Sequence, residues 1–429
     1  MFGFANFLLL ALFAAAVFDL IFALARGGGL RGALHGLWNT PHLLFGQQLA
    51  EWRLQLGRIL FAAGLAAYEI SVVFCNSMAR QNWAWVQGVM SPVLEWLAFL
   101  CFGAKILFGT RYTWRELLAG GALYFVARWV YFNSQNIWWI GIVVAVLAAK
   151  DVPLRRPLQV YFASGCAAMA VVLALHFAGI VAPDLTSERM GALRGTYGYG
   201  HPNTFGGLVF GLVLAYALLR AQKVRWVDCL LVFAVGVFLL VGPASRSAAL
   251  CTLALAVGLV FCRLRAGHSV PRWWPGTCAG MVGLTAAVSY LLPLLVIKVG
   301  PWNNDIGPAW LAKLDSLLTC RISLTWMAYR LLDVKIAGQV FNWPTVDNSF
   351  AFALFQFGPV VAALLGILFA AALWGHAKQG RRVEVCCLFA MLAYAYMEVP
   401  PFHLTTNPTA LLLCGAVFAQ TSARWQKIE

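Results

Sequence analysis

Arg194-Gly195-Thr196-Tyr197-Gly198-Tyr199-Gly200-His201-Pro202-Asn203 places a guanidinium, an imidazole and a carboxamide on a glycine-rich backbone between two long apolar segments. That set suits phosphate, because a guanidinium offers a bidentate fork and a helix N-terminus offers free N–H groups. An apolar helix is expected from about Phe205, with Asn203 as its cap. The plain alternative is a glycine-rich turn whose Arg194 snorkels to lipid headgroups. Ser245-Arg246-Ser247 lies between Leu239-Leu240-Val241-Gly242 and Ala248-Ala249-Leu250. Charge so close to two apolar runs usually faces a protein cavity, with interfacial anchoring as the alternative. Arg321 follows an approximately helical spacing of Trp310, Leu311, Leu314, Leu317, Leu318, Ile322 and Trp326. An amphipathic element on the membrane is expected there, and Arg321 points either to headgroups or into a cavity. Asp347-Asn348-Ser349 opens the next apolar run, where N-capping is the default explanation. Glu398-Val399-Pro400-Pro401-Phe402-His403 puts a carboxylate and an imidazole at one boundary. Such a Glu is either a base with a raised pKa or a satisfied structural group.

The elements that must position these residues are membrane helices. The chain is 62% hydrophobic and 11% charged, with mean hydropathy +0.77, 18 Trp and 30 Phe. Repeated apolar runs of that kind exceed what a soluble core buries, whereas a bilayer accepts them as spanning helices. The expected fold class is therefore all-α and polytopic. Spans are expected near residues 2–25, 59–79, 84–108, 116–132, 137–149, 157–181, 204–219, 226–243, 247–262, 275–298, 349–374, 384–400 and 408–420, giving about 12 to 13 transmembrane helices. The shortest, 137–149, is a candidate arm of a re-entrant hairpin, and 32–57 a candidate interfacial helix. No internal repeat, low-complexity tract or soluble domain stands out, so residues 1–429 are expected to form one transmembrane domain, with 299–348 as its longest loop. The first run lacks a preceding basic residue and a small-residue cleavage site, so it is expected to be a retained helix with its N-terminus outside.

Charge orients the spans. Arg26, Arg31, Arg53, Arg58, Lys105, Arg111, Arg115, Lys150, Arg155, Arg156 and the basic residues near 220–225, 263–272, 378–382 and 424–427 fall on one side. They make up roughly 21 of the 31 basic residues, which marks that side as cytoplasmic. Topology thus accounts for most of the net charge of +15, and no nucleic-acid partner is expected. Arg194, Arg246 and Arg321 are among the exceptions, on the opposite face. The 11 Cys are scattered, seven of them (Cys75, Cys101, Cys229, Cys251, Cys278, Cys386 and Cys414) inside apolar runs and without a CxxC pair, and no external carboxylate or His cluster has the spacing of metal ligands. Neither a disulfide framework nor a metal or other cofactor is expected.

Arg194 with Gly200-His201-Pro202-Asn203, then Ser245-Arg246-Ser247, then Arg321 with Trp326, Gly338 and Val346-Asp347-Asn348-Ser349, resembles in that order the O-antigen polymerase and ligase superfamily. The likeness covers about the C-terminal 240 residues and is nearest to the repeat-unit polymerases of capsule and exopolysaccharide pathways. It implies a GT-C-like glycosyltransferase in the bacterial cytoplasmic (inner) membrane, working without metal on the extracytoplasmic face. It further implies an undecaprenyl-pyrophosphate-linked oligosaccharide as donor and another as acceptor, with a chain-length regulator and a flippase as accompanying proteins. Arg194, Arg246, Arg321 and Asn203 are then expected to hold the pyrophosphate, and Glu398, His403, Asp347 and His201 are the candidate bases. Ligases of this superfamily typically use a His in the long external loop, and residues 301–348 contain none, which favours a polymerase. A lipid-linked-oligosaccharide flippase would carry its charges along a central cavity and often in repeated halves. A structural membrane partner would need none of the three Arg sites.

Overall fold

In the computed structural model, residues 2–25, 29–45, 51–181, 187–189, 192–296 and 307–418 are described. Their architecture is a helical bundle. The first half contains α1 (Phe2–Ala25), α2 (Gly29–Asn39), α3 (Glu51–Cys75), α4 (Ala79–Asn82), α5 (Ser91–Phe108, entered through a π turn at Val86–Met90), α6 (Trp114–Ser134), α7 (Ile137–Ala148) and α8 (Arg155–Phe177). The second half contains α9 (Pro202–Leu219), α10 (Trp226–Val241), α11 (Arg246–Leu264), α12 (Trp274–Leu291), α13 (Ala309–Leu317), α14 (Arg321–Leu331), α15 (Ser349–Phe352), α16 (Pro359–Lys378), α17 (Arg382–Met397) and α18 (Cys414–Val417). Two small antiparallel pairs complete it: β1 (His42–Leu43) with β2 (Arg111–Tyr112), and β3 (Ser187–Arg189) with β4 (Ala192–Arg194).

Among the described residues, eight helices are long and apolar enough to cross a membrane, and three further apolar helices are shorter: Ile137–Ala148, Trp226–Val241 and Pro408–Val417. Phe7, Phe13, Ile21, Val227, Leu230, Val257 and Ile367 are largely exposed on these helices, as an apolar solvent allows. The chain is an all-α polytopic membrane protein.

Several expected boundaries are corrected. The 32–57 segment is not one interfacial helix: α2 ends at Asn39, and α3 begins at Glu51, whose carboxylate suits the positive N-terminal end of a helix. The span expected at 349–374 is two pieces. Gly358 has φ +88° and Pro359 opens α16, so the short Ser349–Phe357 stretch cannot run on into it. The span expected at 384–400 stops at Met397, because Glu398 is extended and Pro400-Pro401 follows. Residues 297–298 and 419–420 of the expected spans lie outside the described residues.

Polar side chains fix where helices start. Thr113 and Glu116 form a reciprocal capping box at α6, and Asn136 caps α7 by accepting from the Trp139 N–H. One end of the bundle gathers the basic loops and neutralises part of them locally. There Lys150 pairs with Glu116 at 3.2 Å and Asp151 at 3.6 Å, while Arg220 pairs with Asp228 at 3.1 Å. At the other end the loop after α14 docks backbone to backbone on the Ser349–Phe357 piece. A side chain at Gly338, φ +75°, would stand 2.0 Å from the Gln356 carbonyl oxygen, so only glycine serves.

Candidate functional site

Arg194 closes strand β4, and its position is set by pairing Ser187 with Arg194 across the hairpin. The chain then turns through left-handed Tyr197 and Gly198, with φ +51° and +81°. Tyr197 is held there by stacking on Phe205, ring centroids 5.0 Å apart, and the Met78 N–H donates to the Gly198 carbonyl at 2.8 Å. The start of α4, whose N-cap is Met78, thereby anchors the turn. Helix α9 opens earlier than expected, at Pro202. His201 is its N-cap, its Nδ1 accepting from the Asn203 N–H at 3.1 Å, so Asn203 is not the cap. Freed from that role, the Asn203 carboxamide bridges two charged groups. Its Oδ1 accepts from Arg194 Nη2 at 2.9 Å, and its Nδ2 donates to Glu398 Oε1 at 3.1 Å.

Arg321 reaches the same carboxylate from the other side, its Nη2 donating to Glu398 Oε1 at 2.5 Å. Its Nε donates to the Met397 carbonyl and its Nη1 to the Leu318 carbonyl, so the guanidinium closes the C-terminal ends of α17 and α13 as well. Helix C-termini carry partial negative charge, which favours a cation there. The expected amphipathic helix is broken to make this possible. Thr319 and Cys320 are both left-handed, at φ +62°, and Asp315 turns back to accept from the Ile322 N–H at 2.7 Å and the Ser323 N–H at 3.2 Å. Apolar spacing continues across the break, which is why periodicity alone suggests one helix.

Arg194, Arg321 and Glu398 are all buried. Burial is the largest influence on the Glu398 carboxyl, which lies just beyond the end of α17, and pushes it up to about 7. Asp347 raises it further, while Arg321, a hydrogen bond from Ser247 and Arg194 lower it. Arg246 is exposed at the first position of α11, between Ser245, whose Oγ stands 3.5 Å from Asn203 Oδ1, and Ser247. Asn348 caps the Ser349–Phe352 helix, accepting from the Phe350 and Ala351 N–H groups at 2.9 and 3.2 Å, and the Ser349 hydroxyl donates to the Glu398 carbonyl.

The structure therefore gathers Arg194, Asn203, Arg321 and Glu398 directly, with Arg246 and Asp347 at the margin. His403 is not aimed with Glu398 as the sequence suggests. The turn at Pro400–Phe402 reverses the chain, Phe402 packs against Phe352 and Phe357, and the His403 ring lies 3.7 Å from that of Trp138. His201 stays at the edge as a helix cap. Three contributors were not singled out from sequence. Ser247 and Ser349 carried no signal beyond their neighbours, and Ala244, left-handed at φ +49°, offers its carbonyl to Arg194 Nη2 at 3.2 Å.

Beside the cluster an open apolar cleft with a volume of about 110 Å³ runs between α7, α12, α16 and α17. Ser349, Asn407 and Tyr290 line it together with apolar residues such as Val143, Leu365 and Phe369. Among the described residues, no group of three or more His, Cys, Asp or Glu is placed to hold a metal ion. Compared with known proteins, the chain matches no family model, no curated protein and no solved structure.

Proposed function

We propose that this chain is an extracytoplasmic polysaccharide polymerase of the bacterial cytoplasmic membrane, with a GT-C-like architecture, joining oligosaccharide repeat units carried on a polyprenyl pyrophosphate. The observation that carries the proposal is the convergence of buried Arg194 and Arg321 on Asn203 and Glu398 beside an apolar cleft. Lipid-linked glycans need that combination, a charged pocket for pyrophosphate and sugar next to a dry path for a hydrocarbon tail.

In the reaction the acceptor sugar hydroxyl attacks the anomeric carbon of the donor. Its O–H bond breaks and the proton passes to the Glu398 carboxylate. The bond from the anomeric carbon to the phosphate oxygen breaks in the same transfer, and its electron pair leaves on the lipid pyrophosphate. Arg194 and the exposed Arg246 face that developing charge, while Asn203 ties the clamp to the base. Arg321 has a different role from the one expected of it. Its guanidinium is engaged by Leu318, Met397 and Glu398, so it holds the base in place rather than the pyrophosphate. Asp347 acts on Glu398 through its charge, and His201 and His403 take no part in proton transfer.

A ligase or a flippase would act on the same lipid-linked molecules, and one measurement separates the three. In intact spheroplasts of a deletion strain the glycans are first treated with a membrane-impermeant reagent that tags exposed sugars, and the lipid-linked glycans are then extracted and analysed by mass, which reads both their size and their face. Single repeat units on the extracytoplasmic face are the expected result. Long lipid-linked polymer would indicate a ligase, and single units confined to the cytoplasmic face a flippase.

A further inference from the structure

Helix α11 runs from the Glu398 cluster toward the basic end of the bundle, and α17 returns beside it. Near the basic end Gly258 lets the two helices approach closely. A side chain there would stand 3.1 Å from Cys386 Sγ and 3.2 Å from Cys386 Cβ. One turn further along α11 is Cys262, and its Sγ lies 3.5 Å from Cys386 Sγ. The two thiols are 124 residues apart in sequence, so no spacing motif announces them. Cys229 at the start of α10 and Cys387 on α17 are within electrostatic reach of Cys262, but Cys262 and Cys386 are the pair whose sulfurs meet. The gathering is not a metal site, because among the described residues no three His, Cys, Asp or Glu are placed to hold an ion.

The pair is also reachable. Cys262 lines a cavity of about 430 Å³ that opens between the turn after α9, the end of α11 and the turn from α16 into α17. Arg263, Arg381 and Arg382 line the same cavity, and reactive cysteines are found in electropositive surroundings of this kind. A disulfide sets its sulfurs about 2.05 Å apart, so the pair must close by about 1.5 Å, a distance that rotation about the two Cα–Cβ bonds covers.

We propose that Cys262 and Cys386 form a thiol–disulfide exchange site, closing to a reversible disulfide when a small-molecule disulfide enters the cavity. The Cys262 thiolate attacks one sulfur of that molecule, its S–S bond breaks, and one half leaves as a thiolate. Cys386 gives up its proton and attacks the Cys262 sulfur of the mixed disulfide, and the second half leaves. The two protons lost by the cysteines end on the two released thiols, so the protein is oxidised by two electrons and the small disulfide is reduced by two. The bond ties together, at the basic end, the two helices that carry Ser247 and Glu398 at the other. It does not depend on the reaction proposed there.

The test uses the full chain in detergent micelles, with Cys320→Ala to remove the exposed thiol of the opposite end. The folded protein is equilibrated with reduced and oxidised glutathione, then denatured, alkylated with excess N-ethylmaleimide and weighed intact. Protein from the oxidising mixture should take up two fewer maleimides than protein kept reduced, and dithiothreitol should restore both. Proteolysis without reduction should give a cross-linked peptide joining Cys262 to Cys386. Cys262→Ser and Cys386→Ser should each abolish the cross-link, while Cys229→Ser and Cys387→Ser leave it in place. The peptide map of the Cys320→Ala parent carries the test where a further variant does not fold. Full alkylation at the most oxidising ratio overturns the proposal, as does a cross-link that survives Cys386→Ser through Cys387. A glutathione adduct that persists on Cys262 with Cys386 still alkylated overturns it as well, because the second exchange has then failed.

Discussion

Glu398 accepts from a buried guanidinium and a carboxamide on one oxygen, and a serine hydroxyl adds a third bond to its carboxylate. Those donors favour the charged form, yet burial and the neighbouring Asp347 outweigh them and leave the group near 7. A base in that range accepts a proton readily and is still half ionised at neutral pH. With Glu398 as the proposed base, the carboxylate is the working form, so its share grows as pH rises through 7. We expect kcat/KM to climb about tenfold per pH unit below 7 and to level off above it. Glu398→Gln keeps an acceptor oxygen for Arg321 but cannot take a proton. It should lower turnover by about 10²- to 10⁴-fold and abolish the acid limb, with donor affinity nearly unchanged. Turnover in purified, properly inserted protein across pH 5.5 to 8.5 is the measurement. A retained acid limb in the Gln variant would move the base to Asp347, the carboxylate whose charge acts on Glu398.

Short helices and their ends, rather than the long spans, bring the cluster together. Arg321 is the first residue of α14, and α14 starts where it does because Asp315 receives its N–H groups and left-handed Thr319 and Cys320 turn the chain. Losing that cap should cost about 1 to 2 kcal/mol and let Arg321 drift from Met397 and Glu398. Asp315→Ala is therefore expected to lower both thermal stability and turnover, and to shift the acid limb of the pH profile. A profile identical to the wild type would show that the cap serves stability alone. This level of structure was also the hardest to read in the sequence. Long apolar runs announce themselves, and most of the expected spans coincide with a single helix, including the short 137–149 segment. The charged candidates stood out because positive charge is sparse on that face, so Arg194, Arg321 and Glu398 could be named before their meeting was visible. The break at Leu318–Cys320, the break at Gly358-Pro359 and the shift of the α9 cap from Asn203 to His201 were not legible. Each depends on a side chain's choice of partner or on left-handed residues, and neither leaves a periodic trace.

At the scale of the whole molecule, two chemistries occupy opposite ends of one bundle. The Arg194–Glu398 cluster is buried among helix ends with its charges cross-bonded, whereas the far end carries the basic loops. Positive charge in loops is retained on the cytoplasmic side during insertion, so the distribution that separates these ends gives the orientation expected of them. The reading of the cluster as a site for externally displayed lipid-linked sugars depends on that orientation and can be checked without any activity. Cys320 is exposed beside Arg321, and His268 is exposed in the turn after α11 at the basic end. In intact spheroplasts a membrane-impermeant maleimide should label Cys320 in the wild type. In a Cys320→Ala background, His268→Cys should be labelled only after the membrane is permeabilised. The replacement leaves the His268 carbonyl, which receives Arg382, in place, so the turn is expected to persist. Labelling with the two positions reversed would put the Glu398 cluster in the cytoplasm, where a nucleotide-activated sugar is the available donor, and the polymerase assignment would fall with it.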